Sequence, residues 1–145
     1  MIKKVLLLVF FGVVLASCNV FKCKKNDAAV QLDGSWKLNY ISGPRIAFDG
    51  LYPNKKPTIN FNVKENLVSG NNGCNSYTGK LKVEGNKVNF GDQPMASTKM
   101  MCMDVQGEEV FMSTLQKITS YDISADGKTL TFISGDIAMM RFEKK

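Results

Sequence analysis

The chain has 145 residues, enough for a single hydrophobic core, and carries 19 lysines and arginines against 13 aspartates and glutamates. It contains no histidine, which excludes Ser-His-Asp and Cys-His catalysis, histidine-bound zinc or haem, and pH sensing by imidazole. The net charge of +6 is partly N-terminal, and no basic face interleaved with aromatic residues indicates a nucleic-acid partner.

The N-terminus has the pattern of an export signal. Two lysines precede an apolar run over residues 5–16, which is too short to span a hydrocarbon core of about 30 Å. The sequence Leu-Ala-Ser-Cys that ends at Cys18 resembles the lipobox of bacterial lipoproteins. We therefore predict a lipoprotein signal peptide over residues 1–17 and lipidation of Cys18. An ordinary cleaved signal peptide and a signal anchor are the alternatives.

Acyl chains on Cys18 would attach the protein to a membrane, and stable attachment takes more than one chain. Asn19 follows the cysteine and favours the outer membrane of the bacterial cell envelope over inner-membrane retention. Residues 18–31 are predicted to form a flexible tether, in which Cys23 is either an unpaired thiol or a partner for another molecule. Residues 32–145 are predicted to form the folded domain.

Most of the domain alternates apolar and polar residues with period two, which predicts strands. In the first strand, Trp36, Leu38 and Tyr40 are expected to share the buried face. The predicted strands lie at 33–41, 58–63, 67–69, 77–83, 88–90, 121–124, 129–133 and 137–142.

One helix is predicted after Cys102, with Asp104 as its cap and an end near residues 117–120. Its apolar residues recur at three- and four-residue steps. The first turns contain Glu108 and Glu109, but adjacent helical positions point in different directions, so they do not predict a catalytic carboxylate pair.

Residues 42–57 are rich in turn signals and predict a loop. The loop contains four large apolar residues that either pack beneath it or line the rim of a binding site. These candidate ligand-contacting residues are Ile46, Phe48, Leu51 and Tyr52.

A polar stretch from Gly70 to Gly79 contains three glycines and three asparagines. Both residue types accept positive φ at low cost, so the stretch predicts a tight turn. A phosphate-binding loop would need a lysine followed by a hydroxyl residue and a helix. Here Gly79 is followed by Lys80 and Leu81 and then by a predicted strand.

The turn and a second motif together resemble the META domain family of HslJ-like envelope lipoproteins. The first motif is Asn72 to Asn75, with Tyr77 and Gly79, and the second runs from Ala96 to Cys102. The residues that carry the match include Gly73, Cys74, Asn75, Thr98, Met100, Met101 and Cys102.

The resemblance covers residues 32–145 and implies a strongly curved antiparallel sheet packed on one helix. With the strand and helix patterns, the expected fold is α+β, mostly β, with about eight strands in an open-barrel-like sheet. The family has been connected with stress response but has no shared catalytic chemistry, so the fold does not transfer an activity.

Cys74 and Cys102 are candidates for a disulfide, because an exported chain meets oxidising conditions. Two buried thiols are the alternative. Methionines near Cys102 raise the question of a soft-ligand copper site. Methionine also fills irregular core space, and we predict neither a metal nor a cofactor.

The sequence thus favours a non-enzymatic envelope lipoprotein that acts through protein contacts in envelope maintenance or stress response. The alternative is binding or carriage of a small apolar ligand in the mouth of the curved sheet.

Overall fold

The alternating segments form strands in a computed structural model that describes residues 27–102 and 105–145. The predicted signal peptide, the lipidation site Cys18, Cys23 and the predicted cap Asp104 lie outside the described residues. The strands are β1 (Gly34–Ile41), β2 (Thr58–Asn62), β3 (Leu67–Asn71), β4 (Ser76–Lys80), β5 (Lys82–Glu84), β6 (Lys87–Asn89), β7 (Ala96–Ser97), β8 (Ser120–Ile123), β9 (Thr129–Ser134) and β10 (Ile137–Lys144).

These ten strands form one sheet in the order β5-β6-β8-β9-β10-β1-β2-β3-β4-β7. Its ladders are antiparallel, and the last long strand, β10, pairs with the first, β1. The predicted α+β, mostly β fold is therefore confirmed. The sheet has ten strands rather than about eight, because Leu81 divides the predicted strand 77–83 into two and the short β7 was not predicted.

Leu81 also shows that the sheet is strongly curled. It is the only residue between β4 and β5, yet β5 is the first strand in the sheet order and β4 the ninth. In a flat sheet these strands would lie about 38 Å apart, since neighbouring strands are about 4.8 Å apart. One residue spans about 3.5 Å. The two ends of the sheet must therefore approach each other at a seam beside Leu81.

The inner face of the curled sheet is filled by large side chains. Phe132 lies at the centre, with its ring centroid 5.1 Å from that of Phe142, 5.6 Å from Phe90 and 6.1 Å from Phe61. Burial of such aromatic side chains supplies much of the stability of a small domain. Other fully buried residues of the core are Trp36, Leu38, Ile59, Val68, Leu130 and Met140.

Three helices accompany the sheet in the described residues: α1 (Asp27–Leu32), α2 (Phe48–Leu51) and α3 (Val105–Leu115). Helix α3, the predicted one, places Phe111 and Leu115 in the core. None of the described helices is long and apolar enough to cross a membrane.

Helix α1 begins inside the segment 18–31 that the sequence assigned to a flexible tether. Its last residue, Leu32, is fully buried, and its carbonyl accepts a hydrogen bond of 2.8 Å from the Trp36 indole. The Lys144 ammonium donates to the carbonyls of Gln31 and Asp33 and lies 4.7 Å from the centroid of the Trp36 ring. Helix α1 thus begins at Asp27, five residues before the predicted start of the domain at residue 32.

A β-bulge changes the direction of one predicted core residue. The register between β1 and β10 shifts between Leu38 and Tyr40, so the alternation that buries Trp36 and Leu38 does not extend to Tyr40. Tyr40 is 43% exposed, and Ile41 is buried in its place. The expectation that Tyr40 faces the core was wrong, because a bulge inserts one residue and inverts the alternation beyond it.

The bulge predicts different effects for two substitutions in the same strand. Leu38→Ala should lower the free energy of unfolding by about 2–5 kcal/mol, because it leaves a cavity in the core. Tyr40→Ala should lower it by less than about 1 kcal/mol, since this side chain loses only surface contacts. Urea unfolding of the two variants makes the comparison, and equal losses would contradict the register.

Candidate functional site

The polar stretch from Gly70 to Gly79 supplies the end of β3, the turn over residues 72–75 and most of β4. A hydrogen bond of 2.9 Å from Asn72 N to Asn75 O closes the turn. Gly73 has a φ of +107°, a conformation that L side chains rarely adopt. None of the three asparagines has a positive φ. The asparagines contribute through their side chains instead.

Two asparagine side chains hold the turn from within. The Asn72 Oδ1 accepts hydrogen bonds from the backbone N–H groups of Cys74, at 3.2 Å, and Asn75, at 2.7 Å. The Asn71 Oδ1 accepts one of 2.9 Å from the Gly73 N–H. Such local bonds substitute for the strand hydrogen bonds that a turn lacks.

Asn75 also binds the segment that precedes α3. Its Oδ1 accepts hydrogen bonds from the Met100 N–H, at 2.7 Å, and from the Thr98 hydroxyl, at 2.8 Å. Its Nδ2 donates to the Met100 carbonyl at 3.3 Å. One buried side chain therefore holds both backbone groups of Met100. The Thr98 hydroxyl also accepts a hydrogen bond of 3.1 Å from the N–H of Ser76, the residue that follows the turn.

The carboxylate of Glu108 joins the turn to the first turn of α3. The Asn72 Nδ2 donates to its Oε1 at 3.0 Å, and the Asn75 Nδ2 donates to its Oε2 at 2.9 Å. Hydrogen bonds to an ionised group are stronger than those between neutral groups, and a carboxylate near a helix N-terminus is favourable. Glu108 is thus engaged on both oxygens, whereas Glu109 is exposed.

Cys74 and Cys102 form a disulfide that fastens the same two segments covalently, with their Cα atoms 6.1 Å apart. The two residues are separated by 28 positions, and in the chain-entropy model closure of such a loop stabilises the domain by about 3–4 kcal/mol. We call the turn, the segment 98–102, the disulfide and Glu108 the motif latch.

Tyr52 fills a slot that two glycines leave open beside the motif latch. A Cβ on Gly73 would lie 3.0 Å from the Tyr52 ring, and a Cβ on Gly107 would lie 2.8 Å from it and 2.5 Å from the Leu51 carbonyl. The Tyr52 hydroxyl donates a hydrogen bond of 2.9 Å to the Gly107 carbonyl. Burial raises the pKa of Tyr52, so the phenol stays protonated and can donate.

The four candidate ligand-contacting residues are not gathered around one opening. Leu51 and Tyr52 are buried in the core, Phe48 is half-buried against Tyr52, and Ile46 is exposed. Leu51 and Tyr52 do border a cavity of about 260 Å³ beside the disulfide. Larger cavities of about 680 and 1020 Å³ flank the loop 91–94 at the seam, where charged residues contribute to their walls.

The predicted motif residues fall into two groups. Gly73, Cys74, Asn75, Thr98 and Cys102 all act inside the motif latch, whereas Met100 contributes its backbone. The side chains of Met100 and Met101 are exposed.

The soft-ligand residues near Cys102 differ in their surroundings, and one of them, Met103, lies outside the described residues. Met95 packs against the core, and Cys102 is bonded to Cys74 rather than present as a thiolate. Across the described ranges, no three His, Cys, Asp or Glu residues are grouped so as to hold a metal ion.

No sequence pattern indicated the contact of Asn72 with Glu108 or that of Tyr52 with Gly107. An acidic residue in the first turn of a helix was visible, but its partners are more than 30 positions away. No local pattern indicates a pairing at that distance. Gly107 was the one signal available in the sequence. Glycine inside a helix is unfavourable, and it is expected there only where a neighbouring group leaves no room for a side chain.

Comparisons with known proteins agree on the architecture. A family model described as META domain matches residues 28–145. An NMR structure of a protein from Burkholderia xenovorans is 23% identical, with a TM-score of 0.62, and the match covers 82% of this chain and 87% of that one. A second NMR structure is 21% identical, with a TM-score of 0.56, and the match covers 78% and 90%. No curated protein matches the chain.

The contact between Gly107 and Tyr52 predicts a reversal of the usual preference in helices. Alanine in place of glycine ordinarily stabilises a helix by about 1 kcal/mol. Gly107→Ala should instead lower the free energy of unfolding by about 1–3 kcal/mol, because its methyl group would overlap Leu51 and Tyr52. Ser113→Ala, at an exposed position of the same helix, is the matched control and should change stability little. Stabilisation by Gly107→Ala in urea unfolding, whatever the control shows, would contradict the packing.

Proposed function

The chain belongs to the META domain family, and from this premise we propose that it is a non-enzymatic, lipid-anchored protein of the bacterial cell envelope. In this proposal acyl chains on Cys18 attach it to the outer membrane. The domain contributes to envelope maintenance or stress response by contacting another envelope protein.

The N-terminal sequence supports the anchor. A short basic segment, an apolar run over residues 5–16 and a four-residue box that ends at Cys18 occur in the order that lipoprotein export needs. The first described element, α1, begins at Asp27, so the eight residues 19–26 separate the anchor Cys18 from it. Fully extended, they would reach about 30 Å.

The internal use of the motif residues supports a binding role rather than catalysis. Both carboxylate oxygens of Glu108 already accept hydrogen bonds, and the Asn75 side chain is committed to Glu108, Thr98 and Met100. A catalytic group needs access to the reacting atoms of a substrate. The motif that identifies the family is therefore explained by the stability of the fold.

The observation that carries the proposed protein contact is the surface that the bulge creates. Tyr40 points outward there, and the Arg141 guanidinium lies 5.5 Å from the centroid of its ring. We call Tyr40 and Arg141, which are paired across β1 and β10, the bulge surface. Exposed tyrosine and arginine are enriched among the residues that dominate binding energy at protein interfaces.

Carriage of a small apolar ligand, the second possibility raised by the sequence, has less support. Its expected lid residues Leu51 and Tyr52 are part of the core. The cavity of about 1020 Å³ at the seam has Lys80, Lys82 and Asp92 among its lining residues, and charged side chains are costly to cover with an apolar guest.

Site-specific crosslinking in intact cells tests the proposal. A photoreactive amino acid at Tyr40 should yield a discrete crosslinked protein in the envelope fraction. The same amino acid at the exposed turn residue Lys64 is the matched control and should not yield it. Arg141→Ala should reduce the Tyr40 product about tenfold if the pair is an interface hot spot.

Absence of a discrete product at Tyr40, or the same products from Tyr40 and Lys64, would contradict contact through the bulge surface. Membrane extraction of the wild-type protein and of Cys18→Ala separately tests the anchor, since only the lipidated form should need detergent.

A further inference from the structure

The motif latch presents two methionines to solvent. Met101 is 101% exposed and Met100 is 62% exposed. Met140 is fully buried, and Met95, Met112 and Met139 are partly buried against the core. A fully exposed methionine contributes no hydrophobic stabilisation and a mostly exposed one contributes little, so these side chains can react at little cost in packing.

The backbone beneath these side chains is held on both sides. The Asn75 side chain binds the N–H and the carbonyl of Met100, at 2.7 and 3.3 Å, and the disulfide follows at Cys102. A chemical change at either thioether therefore occurs on an ordered segment. None of the hydrogen bonds described for the motif latch uses the sulfur of Met100 or Met101.

We propose that Met100 and Met101 are an oxidation site of the native domain, at which both thioethers become sulfoxides while the fold and the disulfide are retained. The oxidant class is a hypohalous acid. Each thioether sulfur loses two electrons and gains the oxygen atom of hypochlorous acid. The chlorine of the acid leaves as chloride, and its proton is released. The modification converts an apolar patch to a polar one. It needs only exposure, so it is independent of the proposed function.

Cys74 and Cys102 do not compete for the oxidant as thiolates, because they are already joined. Oxidation of Met140 would place a polar sulfoxide in the core, and local opening must precede it. The structure therefore predicts that the exposed Met100 and Met101 are oxidised faster than the fully buried Met140.

The test is oxidation of the purified protein with less than one equivalent of hypochlorous acid per methionine, followed by tandem mass spectrometry that assigns each sulfur separately. Met100 and Met101 should be oxidised about tenfold or more faster than Met140, in line with their exposure. The double substitution Met100→Leu with Met101→Leu should remove this fast oxidation. Met139→Leu, a partly buried control, should retain it.

The near-ultraviolet circular dichroism and the urea midpoint should be unchanged when Met100 and Met101 are oxidised and Met140 is intact. Alkylation without reductant should still leave Cys74 and Cys102 unlabelled. Equal rates at Met140 and Met101 would overturn the selectivity. Unfolding or thiol exposure that accompanies the first two sulfoxides would overturn the claim that the fold is retained.

Discussion

The carboxylate of Glu108 is the point on which the organisation of this domain depends. Two amides from one turn donate to its two oxygens, so the N-terminal turn of α3 is fixed to the β3–β4 connection. Burial of polar groups is costly unless each finds a partner. Here Asn72 and Asn75 are buried and satisfied, and their geometry admits little variation. The latch joins the helix to the sheet, while the apolar core stabilises both.

The other constraint is the closure of a sheet whose ends are joined through a single residue, Leu81. The curled sheet encloses Phe132 and its aromatic neighbours, and α3 packs Phe111 against Tyr77 at a centroid distance of 5.7 Å. The bulge in β1 turns Tyr40 toward solvent, and the segment 98–102 presents two methionines that the core does not use.

Alternation of apolar and polar residues is a local pattern, and it predicted most strands. The family resemblance covers the whole domain, and it predicted the curved sheet. The bulge at Tyr40 was not predictable, because apolar and polar residues continue to alternate through it in the sequence. The split at Leu81 depends on which strands pair across the sheet. The asparagines were noticed for their tolerance of positive φ, but their role depends on Glu108, which lies more than 30 residues away. Side-chain partnerships at that distance have no local signature.

A double-mutant cycle between Asn75 and Glu108 tests the central claim most directly. Urea unfolding of Asn75→Ala, Glu108→Ala and the double variant gives the coupling energy between the two side chains. If the carboxylate and the amide stabilise one another across the motif latch, the coupling should be about 1–3 kcal/mol. A coupling near zero, with the two single losses adding in the double variant, would contradict the account.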